Sequence, residues 1–297
     1  MKIGLVTARP ARGLDEDEPP LNMAFQKAGC EVAIAEWDDP KVDWGSFDAA
    51  LLRSAWDYAE RVAEFLAWVE RASSLTHVLN PLPLVRWNTD KHYLAQLAAA
   101  GAAVVPSTFI EPGDDPAVVL RRFLDAHSQA ELVVKPAVGA GSRDTQRHRR
   151  TEFDAAVAHA KRLLDARRSV LLQPYLGRVD KQGETALMFF EGRFSHAIRK
   201  GPLLPPGGAA TAALFAAESI TPRVPGDDEM RLAEKVVSVV PFGTPLYARI
   251  DLIRDDAGAP CLLELEMTEP SLFFVHAAGS AERFAEAVLG RVKTNGR

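Results

Sequence analysis

The stretch Leu246-Tyr247-Ala248-Arg249-Ile250-Asp251-Leu252, followed shortly by Cys261-Leu262-Leu263-Glu264-Leu265-Glu266, decides how the rest of the chain is read. In each half apolar residues alternate with charged ones, the period of a strand with one buried face and one chemical face. Asp255-Asp256-Ala257-Gly258 between them marks a turn, so the most economical arrangement is a hairpin that sets Asp251, Glu264 and Glu266 on one face. Three carboxylates held together repel unless a cation sits among them. An oxygen-only set suits Mg2+, which usually shares its shell with substrate phosphates. The same alternation also fits a solvated edge hairpin with acidic decoration, and only the remainder of the chain distinguishes the two.

A chain of 297 residues, 47% hydrophobic and 25% charged, has the make-up of a globular protein with room for two or three subdomains. Lys and Arg total 35 against 40 Asp and Glu, a net charge of -5. That balance argues against nucleic acid or an anionic membrane as the partner and favours a small-molecule substrate. The N-terminal run Met1 to Thr7 is too short for a signal segment and no apolar run reaches membrane length, so a cytoplasmic protein is expected. Cys30 and Cys261 stand far apart in apolar surroundings without a nearby His, which predicts buried free thiols.

Working outward, Ile3 to Thr7, a helix over Leu21 to Ala28, and Val32 to Ala35 make a β-α-β opening, continued by strands at Ala49 to Leu52 and Val78-Leu79. Strands alternating with helices imply a parallel sheet, whose ligands gather beyond the carboxyl ends of the strands. Two loops fall there. Leu14-Asp15-Glu16-Asp17-Glu18 reads as a solvated acidic turn, whereas Arg53-Ser54-Ala55-Trp56-Asp57-Tyr58 resembles a pocket wall for a zwitterion. Arg86 to Lys91 is expected to open a helix ending at Gly101 and capped by Asn88 or Thr89. A lysine in that first turn opposes the helix dipole, so an anion held there would account for Lys91.

Leu132 to Pro136 reads as a buried strand ending in Lys135, followed by the small-residue loop Ala137 to Arg143, in which backbone amides can approach a phosphate. Thr151 is expected to cap a helix with Phe153, Ala156, Ala160 and Leu163 on its core face. Val170 to Leu176 is an apolar strand running into Pro174, with Asp180 beyond it. Strands over Thr185 to Phe190 and Arg193 to Lys200 then precede a Pro/Gly/Ala loop at Leu203 to Leu214, and helices near 229–239 and 282–292 flank the hairpin.

Taken together, these elements resemble the ATP-grasp superfamily of carboxylate-amine ligases. The resemblance rests on Lys91, Lys135, the segment Gln173-Pro174-Tyr175-Leu176 with Asp180, and Arg249-x-Asp251 followed by Glu264-x-Glu266. It implies an α/β fold with an N-terminal parallel-sheet domain over 1–88, a central subdomain over 89–178 and a C-terminal subdomain over 179–297, the last two sandwiching ATP. It further implies that Gln173, Pro174, Tyr175 and Leu176 meet adenine and Asp180 the ribose. Lys91, Lys135 and Lys200 would bind phosphates, Asp251, Glu264 and Glu266 would hold Mg2+, and Arg249 would steady a tetrahedral oxyanion. Glu266 stands where the family commonly has Asn. The N-terminal motifs Leu14-Asp15-Glu16-Asp17, Trp37-Asp38-Asp39-Pro40, Arg53 to Tyr58 and Arg86 to Lys91 are similar to the branch that contains the cyclo-ligase of D-cycloserine biosynthesis. That narrower likeness implies O-ureido-D-serine as an amino-acid-like substrate, contacted by Arg53, Ser54, Asp57 and Glu269. An intermolecular ligase of the same fold and a non-catalytic nucleotide-binding protein remain the alternatives, and a homo-oligomer is left open.

Overall fold

The computed structural model describes residues 1–204 and 219–295, so most of the expected loop at 203–214 lies outside the described residues. Three sheets follow one another along the chain. The first is parallel in the order β2-β1-β3-β4, built from β1 (Lys2–Thr7), β2 (Glu31–Glu36), β3 (Ala49–Ser54) and β4 (His77–Leu79), with α1 (Glu18–Lys27) and α2 (Val62–Ser73) between strands. Six consecutive buried residues make β3 a central strand. The helix expected from Arg86 to Gly101 is instead two short ones, α3 (Leu82–Asn88) and α4 (Tyr93–Ala99). The break has a cause: the Asn88 side chain is drawn away to Leu265 O (2.7 Å) and Met267 N (2.6 Å), so it caps nothing.

The second sheet is antiparallel, β5-β8-β6-β7, from β5 (Thr108–Ile110), β6 (Glu131–Pro136), β7 (Gln146–Arg149) and β8 (Val170–Pro174). Helices α5 (Pro116–Ala126) and α6 (Phe153–Asp165) cover one face, packing Leu120, Phe123, Ala156, Ala160 and Leu163 on Ile110, Leu132, Val134 and Leu172. Asp115 caps α5, accepting from Ala117 N at 2.8 Å and Val118 N at 3.3 Å ahead of a proline at the first turn. Thr151 does not cap α6, which starts after Glu152 without a side-chain cap.

The third sheet runs β11-β10-β9-β12-β13. After α7 (Val179–Gln182) come β9 (Glu184–Phe190), β10 (Arg193–Lys200), β11 (Ile220–Arg223), α8 (Asp227–Ser238), β12 (Tyr247–Arg254) and β13 (Pro260–Glu266), and α9 (Ser280–Asn295) ends the described chain. This sheet and the parallel one share a core in which Tyr247, Phe190 and Phe284 pack together. Asn80 fastens the two: its amide donates to Tyr247 O (3.0 Å) and Met267 O (2.9 Å) and accepts from Leu246 N (2.7 Å). Each such buried bond costs about 1–3 kcal/mol to leave half-made. Cys30 and Cys261 are buried and free, and burial pushes the Cys261 thiol up to about 12. Among the described residues no helix is long and apolar enough to cross a membrane.

Two buried histidines predict acid sensitivity. Burial pulls the imidazoles of His159 and His196 down to about 4. Both are therefore neutral in the fold but titrate near the ordinary value of about 6.5 when unfolded. Because the unfolded chain binds more protons between those values, their contribution is whole above pH about 6.5 and is lost as pH falls towards about 4. Each histidine is expected to cost about 2 kcal/mol between pH 7 and pH 5, read as a lower unfolding midpoint. In His196→Gln roughly half of that loss should vanish; an unfolding midpoint that is the same at both pH values would refute the assignment.

Candidate functional site

Strand alternation and register build the centre of the site. Asp251 pairs across the hairpin with Glu264 and Arg249 with Glu266, with an irregularity after Asp251, so all four side chains share one face, which lines a cavity of about 510 Å³. The carboxylates do not converge on a common point, however. Among the described residues no three His, Cys, Asp or Glu side chains are grouped closely enough to hold a metal ion. Each turns to a base instead. Asp251 accepts from Arg249 Nε (2.9 Å) and Nη2 (2.9 Å) and from Lys200 Nζ (2.8 Å), Glu264 meets Lys91 Nζ at 2.9 Å, and Glu266 meets Arg249 Nη2 at 2.5 Å. Buried like charges separate in this way when basic side chains are within reach.

Lys91, Lys135, Lys200 and Arg249 are each only 5–7% exposed. Burying four cations is tolerable because they face Glu184, Asp251, Glu264 and Glu266 in the same cavity. Burial pushes the Asp251 carboxyl up, but Arg249 and Lys200 outweigh it and bring it down to about 2. For Glu264 the pull of Lys91 and Lys135 likewise exceeds the effect of burial and lowers it. Glu266 goes the other way, to about 7, because burial and the neighbouring Glu264 and Asp251 prevail over Arg249. Burial lowers Lys135 to about 8, with Lys91 and Lys200 pushing the same way against Glu264. Lys91 does not need the helix dipole to explain it: it lies between α3 and α4 and is answered by Glu264 and by Gly139 O at 2.9 Å.

One end of the cavity is an apolar slot between the second and third sheets, walled by Val105, Val133, Leu176, Val179 and Ile253. Gln173, Pro174 and Tyr175 also line it. Gln173 donates to Ser107 Oγ (3.0 Å), while its Oε1 is buried without a partner. A flat heteroaromatic ring carrying an amino group would fill the slot and meet that oxygen. Asp180 is not among the lining residues. It is exposed at the rim, accepting from Tyr175 Oη (2.5 Å) and Arg147 Nη1 (3.2 Å), with Arg147 stacked 3.6 Å over the Tyr175 ring. Glu184, which opens β9 and pairs with Lys200 at 2.9 Å, lines the cavity where Asp180 does not. The loop after Lys135 closes another side through Gly139, Gly141, Ser142 and Arg143. Ser142 and Asp144 adopt left-handed φ of 60° and 56°, and Asp144 is held by Arg162 (3.0 Å) and Arg168 (2.6 Å).

The opposite end carries Trp56, Tyr58, Asp15, Asp17 and Glu269. Burial and then the charge of Glu266 raise Glu269 to about 8 against the opposing effect of Tyr58, and its Oε2 is buried without a partner. Three of the expected substrate contacts, Arg53, Ser54 and Asp57, are bonded to protein groups. Arg53, 2% exposed, donates to Asp17 Oδ2 (3.1 Å) and Pro270 O (3.1 Å); Ser54 donates to Thr7 Oγ1 (2.8 Å); Asp57 accepts from Trp37 Nε1 (2.8 Å). None of the three lines the cavity. Buried charges and hydroxyls at a strand end seek protein partners before solvent. Nor is the acidic loop a solvated turn, since Asp15 and Asp17 are 6% and 2% exposed. The sequence named Tyr58 only as part of the expected pocket wall and Asp17 only within a motif of the narrower likeness, and Glu184, at the start of a strand, was not singled out as a site residue.

Comparison with known proteins agrees with this architecture. Residues 3–80 match the family model for the N-terminal domain of D-cycloserine synthetase DcsG. The cycloserine biosynthesis protein DcsG of Streptomyces lavendulae is 42% identical over 297 residues, 98% of this chain and 99% of that one. The crystal structure of D-cycloserine synthetase DcsG matches with a TM-score of 0.93 at 40% identity, over 98% of this chain and 100% of that chain. The ATP-grasp ligase PsnB, solved with a phosphomimetic variant of its minimal precursor, Mg and ADP, shares the fold at a TM-score of 0.65 and 18% identity, over 97% and 98% of the two chains. With three sheets enclosing one charged cavity and a relative of that identity over nearly its whole length, the chain belongs to the DcsG family of ATP-grasp ligases and is an ATP-dependent ligase.

Proposed function

We propose that the protein closes the ring of D-cycloserine from O-ureido-D-serine. The substrate carboxylate takes the γ-phosphoryl group of ATP, giving an acylphosphate and ADP. The ureido nitrogen bonded to oxygen then attacks the activated carbon, phosphate leaves, and the carbamoyl group departs as carbon dioxide and ammonia after addition of water. An internal nucleophile needs no second amine site and gains from proximity. The observation that carries the proposal is the meeting, in one cavity, of a cationic cluster at the hairpin with the buried, incompletely bonded Glu269 carboxyl beside Tyr58 and Trp56. The former suits phosphoryl transfer and the latter the ammonium of an amino acid. The 42% identity with a cycloserine biosynthesis protein supports the same product.

In this proposal the parts 1–88, 89–178 and 179–297 each contribute one sheet, and ATP lies between the latter two with adenine in the slot at Gln173 to Leu176. Lys91, Lys135 and Lys200 spread charge over the phosphates, and Arg249 steadies the oxyanion formed on attack. The donor set of Asp251, Glu264 and Glu266 suits a hard divalent cation in being all oxygen; the three carboxylates would have to turn from their basic partners to share one, and its charge would relieve the repulsion that Glu264 and Asp251 exert on Glu266. Mg2+, when bound there, would neutralise phosphate charge and align the triphosphate. Glu184 from within the cavity and Asp180 from its rim would face the ribose. Arg53, Ser54 and Asp57 act indirectly, through the groups they hold.

Incubation of the purified protein with ATP, Mg2+ and O-ureido-D-serine, followed by mass-resolved product analysis, is expected to give D-cycloserine and ADP in equal amounts. ADP without a cyclic product would favour an intermolecular ligase, to be sought by adding separate amines. No turnover with any carboxylate and amine would leave a nucleotide-binding protein.

A further inference from the structure

Between β13 and the helix that ends the described chain, six consecutive carbonyls each accept a hydrogen bond from a different side chain. Asn80 Nδ2 donates to Met267 O (2.9 Å), Tyr247 Oη to Thr268 O (3.0 Å) and Trp56 Nε1 to Glu269 O (3.2 Å). Arg53 Nη1 donates to Pro270 O (3.1 Å), Arg249 Nη1 to Ser271 O (3.2 Å) and His196 Nε2 to Leu272 O (2.8 Å). Asp17 then accepts the N–H groups of Leu272 (2.5 Å), Phe273 (3.1 Å) and Phe274 (2.8 Å). Among the described residues none of the six carbonyls meets a backbone N–H. A backbone segment buried at this depth normally satisfies itself in a helix or ladder. Here its course is imposed from outside, by side chains of the parallel sheet and its loops and of β10 and β12.

The segment carries Glu269 into the cavity and ties Arg249, through Ser271 O, to the same frame. Asp17 and Arg53 form its keystone. Arg53 bridges Asp17 Oδ2 and Pro270 O, while Asp17 takes three successive amides across more than 250 residues of sequence. A buried Arg–Asp pair contributes little net stability against an apolar isostere, so stability alone does not account for it; what its fork geometry supplies is a defined backbone position.

We infer that residues 267–274 are a positioning segment for the amino-acid substrate, and that Asp17 and Arg53 are the positioning residues that set its course. The inference rests on the proposed reading of Glu269 as the substrate-facing group. Asp17→Asn turns one acceptor into a donor facing an N–H, and Arg53→Lys keeps the charge but cannot reach Asp17 and Pro270 O together. In the full-length protein both variants are expected to raise KM for O-ureido-D-serine about tenfold or more while KM for ATP stays within about twofold. Amide hydrogen exchange should quicken in peptides spanning 268–275 and stay unchanged over 131–136. Equal rises in both KM values would overturn the inference, as would faster exchange with KM unaltered, which marks a merely structural role. If the wild-type protein forms no cyclic product, the substrate reading falls and exchange alone decides: quickening confined to 268–275 supports the imposed course, and none overturns it. Should Asp17→Asn fail to fold, Arg53→Lys carries the same comparison.

Discussion

Arg249→Lys is expected to lower kcat/KM for the amino-acid substrate by about 10²–10³-fold, the usual effect of removing one preorganised oxyanion donor. Arg249 bonds simultaneously to Asp251, Glu266 and Ser271 O from one planar fork. A lysine retains the charge but supplies a single point contact, so the carboxylates at the hairpin lose their spacing along with the oxyanion its partner. Lysine is the sharper test. Arg249→Ala would leave Asp251 and Glu266 buried without their shared cation, an effect of about 3–5 kcal/mol on folding that would obscure the kinetics. The informative comparison is single-turnover ADP formation against product formation. A donor that acts on the tetrahedral oxyanion should slow ring closure more than phosphoryl transfer, and equal slowing of both steps would assign Arg249 to the phosphates instead.

The second large effect concerns Lys135. Lys135→Ala removes a cation that is 7% exposed in the cavity beside Glu264, and kcat/KM for ATP should fall by at least about 10²-fold. The wild-type enzyme offers a companion readout. With its pKa brought down to about 8 by burial, Lys135 is charged below that value and loses its proton as pH rises through it. Because kcat/KM reports the free enzyme, the profile for ATP should decline above pH about 8. Lys135→Arg, which stays protonated throughout, should lose that alkaline limb even if its rate is lower. A wild-type profile flat from pH 7 to 9.5 would place the phosphates away from Lys135.

How much of this was legible beforehand depended on the kind of contact. Arg249, Asp251, Glu264 and Glu266 were readable as one face because a strand's period of two and a short turn leave little freedom of register. The parallel sheet followed from apolar runs alternating with amphipathic helices, down to a few residues at each end. Strands β5, β7 and β11 were missed, since three or four residues at a sheet edge cannot display a period. The break between α3 and α4 was missed because a distant strand claims the Asn88 side chain, and no local rule contains that partner.

By itself, then, the sequence determined the parallel sheet, the hairpin with its charged face, and the lysines at the carboxyl ends of β6 and β10, Lys135 and Lys200. All of these arise from local periodicity or from residues fixed by their own strand. Only the tertiary structure decided that Arg53, Ser54 and Asp57 stand behind the cavity and that Asp17 holds the segment after β13, while Tyr58 and Glu184 line the cavity itself. Those assignments turn on which buried charge finds which partner, a competition between desolvation and pairing that is settled by groups as much as 257 residues apart in the case of Asp17 and Phe274.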